Sequence, residues 1–361
     1  MEGVYDVTRQ IKVGGVKIGG GAPVSIQSMA KADTRDVLST VRQIKGLEKA
    51  GCEIVRVAVK DFEAAKAIRG IKNKINIPLV ADIHFDYRLA LSAIENGADK
   101  IRLNPGNIYK EEEIREVVKL AKKRRIPIRV GANSGSIRER VKGGGWRVER
   151  SLMVKDMVKS VLGYIKILEK MEFYDIIVSL KASDVVSTVD AYRLFSKKSK
   201  YPLHLGVTSA GPASTGIVKS SIGIGALLLD GMGDTIRVSL TGDPVEEVIA
   251  AKNILQALNL RNFGPEVISC PTCGRCQIDL QKIAGELSSK LAAHKFTLHP
   301  SPFTPAIKIA VMGCEVNGPG EAKEADIGIA CGKGSGVIFK KGKIVKRVKE
   351  KDIVKELLKN I

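Results

Sequence analysis

From Val24 to Leu258 the chain repeats one unit: an apolar run of strand length, a short turn, then a segment of helical period. Strands are expected near 24–29, 53–59, 78–84, 100–104, 127–131, 175–181, 202–208 and 234–240. Each precedes a helix-period segment such as Val37–Ala50, Glu112–Arg125, Leu152–Met171 or Val245–Leu258. Several connections open on a capping residue, as at Asp184 and at Asp243 before Pro244. Eight β-α units over about 240 residues match the size of a (β/α)8 TIM barrel. A doubly wound open sheet is the alternative, and eight repeats of one period favour closure. Ahead of the repeat, Ile11–Ile18 reads as a hairpin around Gly14-Gly15.

Side chains alternate faces along a strand, so each strand reveals two parities. Ile101 and Leu103 share one face, Arg102 and Asn104 the other. Ile236, Val238 and Leu240 stand against Arg237, Ser239 and Thr241, and Leu203, Leu205 and Val207 against His204, Gly206 and Thr208. The other strands contribute Arg56, then Asp82 with His84, then Arg129 with Gly131 and Asn133, then Ser179 with Lys181. The apolar parity suits the wall under the helices and the polar parity the lumen. An ordinary barrel lumen is filled by branched apolar side chains, and unpaired buried cations are costly. One arginine could be a salt bridge to Asp82 or Glu53. Arg56, Arg102, Arg129, Lys181 and Arg237 together have too few opposing carboxylates. The pattern predicts an anion pocket at the C-terminal mouth; guanidinium forks suit phosphate oxygens, and a diphosphate suits five cations better than one carboxylate does.

After Leu260 the repeat stops, and Arg261-Asn-Phe-Gly-Pro265 reads as a linker between a barrel domain, 1–260, and a small α/β domain, 261–361. The second domain carries four of the six cysteines, in Cys270-Pro-Thr-Cys-Gly-Arg-Cys276 and Gly313-Cys-Glu-Val-Asn-Gly-Pro-Gly-Glu321. Two thiolates three residues apart can grip one metal centre from a tight turn, and a distant third can complete the grip. Zinc and an iron–sulfur cluster both remain open on spacing alone. Cys52 and Cys331 read as small core residues. The net charge of +20 permits nucleic acid, an anionic small substrate or a lysine-coated surface; Lys122-Lys-Arg-Arg125 reads as solvated surface. No run of about 18 uncharged apolar residues suggests a membrane span. The start Met1-Glu-Gly-Val-Tyr-Asp lacks a secretory pattern, and unpaired cysteines suit the cytoplasm. Gly19–Gly21 and Gly143–Gly145 read as turns, not phosphate loops, and the long Ser134–Arg150 connection as a lid or an insertion.

Several segments closely resemble the bacterial 4-hydroxy-3-methylbut-2-enyl diphosphate synthase family. They are Val80-Ala-Asp-Ile-His-Phe-Asp-Tyr-Arg88, Arg102-Leu-Asn-Pro-Gly-Asn107, Lys181-Ala-Ser-Asp184, Asp234-Thr-Ile-Arg-Val-Ser-Leu240, Ile268-Ser-Cys-Pro-Thr-Cys273 and Gly313-Cys-Glu-Val-Asn-Gly-Pro-Gly-Glu-Ala322. The resemblance implies a substrate-binding barrel and a domain holding a [4Fe–4S] cluster on Cys270, Cys273, Cys314 and Glu321. It implies reductive ring opening and dehydration of 2-C-methyl-D-erythritol 2,4-cyclodiphosphate, fed by flavodoxin or ferredoxin. It places substrate contacts at Arg56, His84, Arg102, Asn104, Arg129, Asn133, Lys181, Thr208, Arg237 and Ser239. It also implies a homodimer in which the cluster domain covers the partner's barrel, with no role for membrane or nucleic acid.

Two departures stand out. The family's Thr-Glu-Ala-Gly is Thr208-Ser-Ala-Gly211 here, so a proton-handling carboxylate is missing; either another acid such as Asp82 serves in its place or turnover is impaired. Cys276 occupies a position where the family has no cysteine; the resemblance favours Glu321 as fourth ligand and leaves Cys276 a free thiol nearby. The alternative reading, a basic zinc protein that binds nucleic acid, lacks a second Cys-x-x-Cys and stacking aromatics. A radical S-adenosylmethionine barrel would need a Cys-x3-Cys-x2-Cys loop inside the barrel.

Overall fold

The computed structural model describes residues 7–136, 145–293 and 306–361, which form two compact units meeting in sequence at Leu258 and Asn259. In the first, eight parallel strands alternate with eight helices. The strands are β3 (Ser25–Met29), β4 (Ile54–Val59), β5 (Leu79–Ile83), β6 (Lys100–Leu103), β7 (Ile128–Asn133), β8 (Ile176–Lys181), β9 (His204–Leu205) and β10 (Thr235–Ile236). They run side by side in the order β8-β7-β6-β5-β4-β3-β10-β9, and a parallel bridge between Val178 and Leu203 joins the two ends. That bridge closes the barrel.

The helices are α1 (Val37–Ala50), α2 (Phe62–Lys72), α3 (Tyr87–Glu95), α4 (Glu111–Arg124), α5 (Gly145–Lys170), α6 (Val185–Ser196), α7 (Ala213–Leu229) and α8 (Pro244–Ala257). Their starts are written locally. The carboxylates of Asp36, Asp61, Asp184 and Asp243 each accept a hydrogen bond from a backbone N–H in the first turn, satisfying donors that the helix leaves unpaired. Pro244 sits at the start of α8, where its missing N–H costs nothing. Lys122–Arg125 are exposed, as a solvated face requires.

The expected hairpin is present as β1 (Ile11–Val13) and β2 (Val16–Ile18), with Gly14 at φ +55°. It is a plug. Ile11, Val13 and Ile18 pack on Ile54, Val80 and Ile177, which begin or lie low on three barrel strands. This apolar floor seals the N-terminal end and leaves the polar lumen above it. Two strands are shorter than their sequence suggests: β9 and β10 pair over two residues each, whereas 202–208 and 234–240 read as full strands. Beyond those pairs the chain bends at Thr208–Ser209, and the residues after Ile236 leave the ladder. A short 3-10 turn, Ser134–Ser136, follows β7; residues 137–144, the centre of the expected lid, lie outside the described residues, as does the Gly143-Gly144 part of an expected turn.

The second unit is a five-stranded sheet, order β11-β12-β13-β14-β15: β11 (Glu266–Ser269), β12 (Lys308–Met312), β13 (Ile327–Gly332), β14 (Ser335–Lys340) and β15 (Lys343–Lys349). The first three are parallel and the last two antiparallel, turning at Lys341 and Gly342, both at positive φ. Helices α9 (Leu280–Ala293), α10 (Gly318–Glu324) and α11 (Ile353–Lys359) complete it. Leu287, Ile309, Ile329, Ile338 and Leu357, all fully buried, form its own core. Among the described residues, no helix is long and apolar enough to cross a membrane.

Candidate functional site

The C-terminal ends of the barrel strands gather the expected cations. Register alone sets much of this: Asp82, Arg102 and Arg129 lie level on β5, β6 and β7, and Asn133 lies level with Lys181 at the ends of β7 and β8. Arg56 and Arg102 converge on the one carboxylate among them, with Nη1 atoms 3.7 and 3.3 Å from Asp82 Oδ2 and Oδ1. Burial alone would raise the Asp82 pKa. Arg56, Arg102 and Arg129 outweigh it, with a smaller push from His84, and hold the carboxyl at about 2. Asp82 is therefore ionised at neutral pH, which suits it to holding guanidinium groups rather than donating a proton.

The remaining cations are poorly satisfied. Arg56 donates through Nε and Nη2 to the thioether of Met29, at 3.2 and 2.9 Å, a weak acceptor. Arg102 donates to the Gly131 carbonyl at 2.9 Å, while its Nε has no partner among the described residues. Arg129 is 1% exposed, and its Nε and Nη1 have none among the described residues. Arg237 stands 3.9 Å from Glu247. Lys181, 7% exposed, is flanked by cations; burial first, then Arg129 and Arg237, pull its pKa well below the ordinary lysine value. Preformed donors held out of water without acceptors are what an incoming polyanion needs.

Glycines make the room. A Cβ at Gly131 would lie 2.8 Å from Ser179 Oγ and 2.9 Å from Arg102 Nε. One at Gly206 would lie 2.7 Å from Lys181 Nζ. Around this centre, Asn104 is buried and accepts from the Gly106 N–H at 3.1 Å. His84, Asn133, Thr208 and Ser239 are half-buried at strand ends or just beyond them, and the Thr208 N–H donates to the Ala182 carbonyl. Ser209 is exposed at φ +51°.

Strand parity could not reveal every participant. Glu247, 1% exposed on α8, reaches in from a helix: it accepts from Ser28 Oγ and the Leu240 N–H at 3.0 Å each and pairs with Lys31 at 3.2 Å. Its signal was only an acid in an otherwise apolar helix face. Lys100 and His204 belong to the polar parity, lie deeper than the mouth and are fully buried.

In the second unit the two cysteine segments meet at one end of the sheet. The Gly313 N–H donates to Cys270 Sγ at 3.4 Å, the Gln277 N–H to the Gly313 carbonyl at 3.1 Å, and a Cβ at Gly313 would collide with Cys276 Sγ. The Cys276 N–H donates to the Cys273 carbonyl at 2.8 Å, closing the first loop into a turn. Cys314 opens the turn into α10, where the N–H groups of Asn317, Val316 and Gly318 point at its sulfur and lower its pKa. Cys276 donates its thiol to the Ile278 carbonyl at 3.3 Å, and Cys331 is core, its pKa pushed up to about 12 by burial. Cys52 in the barrel is likewise buried. Cys273 and Glu321 are exposed, Glu321 in the first turn of α10. The sulfurs are free thiols on adjoining loops, a donor set suited to an iron–sulfur cluster; among the described residues, no three Cys, His, Asp or Glu side chains are already gathered into a metal cage.

Two family models match. The GcpE TIM-barrel domain covers residues 8–252, and the GcpE protein C-terminal domain covers 266–361. Among curated relatives, the "4-hydroxy-3-methylbut-2-en-1-yl diphosphate synthase (flavodoxin)" of Caldanaerobacter subterraneus subsp. tengcongensis is 57% identical over 98% of this chain and 96% of its own. The protein of the same description from Clostridium perfringens is 56% identical over 98% of each. Among solved structures, the dihydropteroate synthase of Coxiella burnetii shares the barrel alone, at TM-score 0.50 and 12% identity over 70% of this chain and 98% of its own. The chain therefore belongs to the GcpE family, whose barrel and C-terminal domains it carries in that order over nearly its full length.

Proposed function

We propose that this chain is a 4-hydroxy-3-methylbut-2-enyl diphosphate synthase: it reduces and dehydrates 2-C-methyl-D-erythritol 2,4-cyclodiphosphate to the linear allylic diphosphate. The observation that carries this is the barrel lumen, where buried cations with unfilled donors face few carboxylates, coupled to free thiols in a separate unit. Zinc bound to a nucleic-acid module would explain neither the lumen nor the family match.

In this reading Arg102, Arg129, Lys181 and Arg237 hold the two phosphates, and Arg56 shares its charge between Asp82 and the substrate. His84, Asn104, Asn133, Thr208 and Ser239 orient the sugar-derived part from the rim. The ring opens at a carbon–oxygen bond to phosphate, so the leaving oxygen becomes a phosphate anion and stays on the same cations. Cys270, Cys273, Cys314 and Glu321 would hold a [4Fe–4S] cluster. Such a cluster would supply the two electrons, received one at a time from flavodoxin or ferredoxin. Glu321 would offer an oxygen ligand, more labile than a thiolate, and Cys276, engaged with Ile278, would stay outside the set. Function as a homodimer, each cluster domain over the partner's barrel, completes the reading.

The test is anaerobic reconstitution with iron and sulfide. The reading expects about four irons per chain and a brown protein, as one such cluster requires. A chain that takes up one zinc and stays colourless would refute it.

A further inference from the structure

Below the mouth lies a second polar layer that no contact to substrate explains. Lys100, at the start of β6, reaches across the lumen to Gln27 Oε1 on β3 at 3.3 Å, its one acceptor among the described residues. His204, at the start of β9, has no partner at either ring nitrogen among the described residues. Both are 0% exposed. Gln27 Nε2, Thr235 Oγ1 and Ser25 Oγ beside them are also unpartnered, and Thr235 lies level with both Ser25 and His204.

What faces this layer is almost entirely positive. Arg129 and Arg56 act on Lys100; Lys181, Arg129, Lys100 and Arg56 act on His204. Arg102 and Arg237 stand above them around Lys181. The nearby carboxylates have other partners: Asp82 has Arg56 and Arg102 with His84 nearby, Glu247 has Lys31, Ser28 and Arg237, Asp99 has Lys72 and the Leu79 N–H, and Asp234 has Thr8 and the Leu203 N–H. Burial and like-charge repulsion both favour the neutral form of Lys100 and His204. A dianion seated at the mouth cancels much of that repulsion.

We infer that Lys100 and His204 form a proton-uptake floor, so that binding the cyclodiphosphate draws protons from solvent into the closed end of the lumen. This rests on the diphosphate reading of the mouth. It gives the layer a role that neither packing nor direct contact provides: the reaction consumes protons, and the floor gains them as substrate arrives. By linkage, affinity falls as pH rises through the pKa values of the liganded state, by about tenfold per pH unit for each proton taken up.

Isothermal titration of the cyclodiphosphate into the anaerobically reconstituted full chain, in HEPES and in Tris at one pH, measures this directly. These buffers differ in ionisation enthalpy, so proton uptake appears as a difference in observed heat. The expected result is uptake of about one to two protons per substrate, reduced in both Lys100→Met and His204→Gln. Binding with the same heat in both buffers overturns the proposal, and so does uptake unchanged in both variants. The wild-type heats decide the first point even if a buried substitution impairs folding. No binding in either buffer would instead overturn the diphosphate reading, and the proposal with it.

Discussion

At the residue scale, the lumen works through charges held without enough counter-charge. Arg129 is the clearest case, buried with open donors. Arg129→Met removes a charge-assisted contact of about 1.5–3 kcal/mol, so KM for the cyclodiphosphate should rise roughly 10- to 150-fold in steady-state assays while the protein still folds. An unchanged KM would remove Arg129 from the site. Asp82 gives a pH signature. Its folded pKa of about 2 lies below the ordinary aspartate value of 3.8, so its stabilising contribution is full above that value and is lost as pH falls through about 2. Thermal melts should show Asp82→Asn less stable than wild type at pH 6, with the gap closing towards pH 2; a gap that stays constant contradicts the ion-pair account. Ser209 is exposed where the resemblance expects a glutamate, and Asp82, the carboxylate held by Arg56 and Arg102, is ionised. Ser209→Glu is accordingly predicted to raise kcat with little change in KM.

At the element scale, strand ends and glycines decide where the cations stand. Gly206→Ala would push its Cβ into Lys181 Nζ and strain a φ of +156°, so weaker substrate binding is expected, read as a raised KM in the folded variant. Among the cysteine loops, Cys314→Ser should lose most of the iron after reconstitution, whereas Cys276→Ser should keep it, because Cys276 is committed to the Ile278 carbonyl. Iron lost equally from both would bring Cys276 into the ligand set. Much of this was legible in the sequence. Period-two alternation put Arg102, Arg129 and Arg237 on one parity because a barrel strand has only two faces. Alternation could not show that β9 and β10 pair over only two residues, since hydrogen-bond register is a property of neighbours, not of one strand. Nor could it find Glu247, whose helix carries no strand parity and whose inward turn depends on how α8 packs.

At the scale of the whole molecule, one chain carries two kinds of chemistry in two separately cored units: a barrel lumen lined by buried cations and a smaller unit with free thiols. Composition hinted at this only ambiguously, because a charge of +20 does not say whether the cations line a lumen or coat a surface. Both are true here, with Lys122–Arg125 on the surface and Arg129 a few residues on in the lumen. The proposed ligand set rests on motif and not on geometry: Cys273 and Glu321 are exposed and, among the described residues, the four donors are not already gathered, as is expected where a metal would draw its ligands together. The measurement that bears most directly on the joint claim is phosphorus NMR of the anaerobic reaction of reconstituted chain, reduced flavodoxin and the cyclodiphosphate, with electrons counted. The account predicts that the cyclic diphosphate signals give way to those of the linear allylic diphosphate, with two electrons consumed per product. No product, or a linear diphosphate formed without electron consumption, would contradict it.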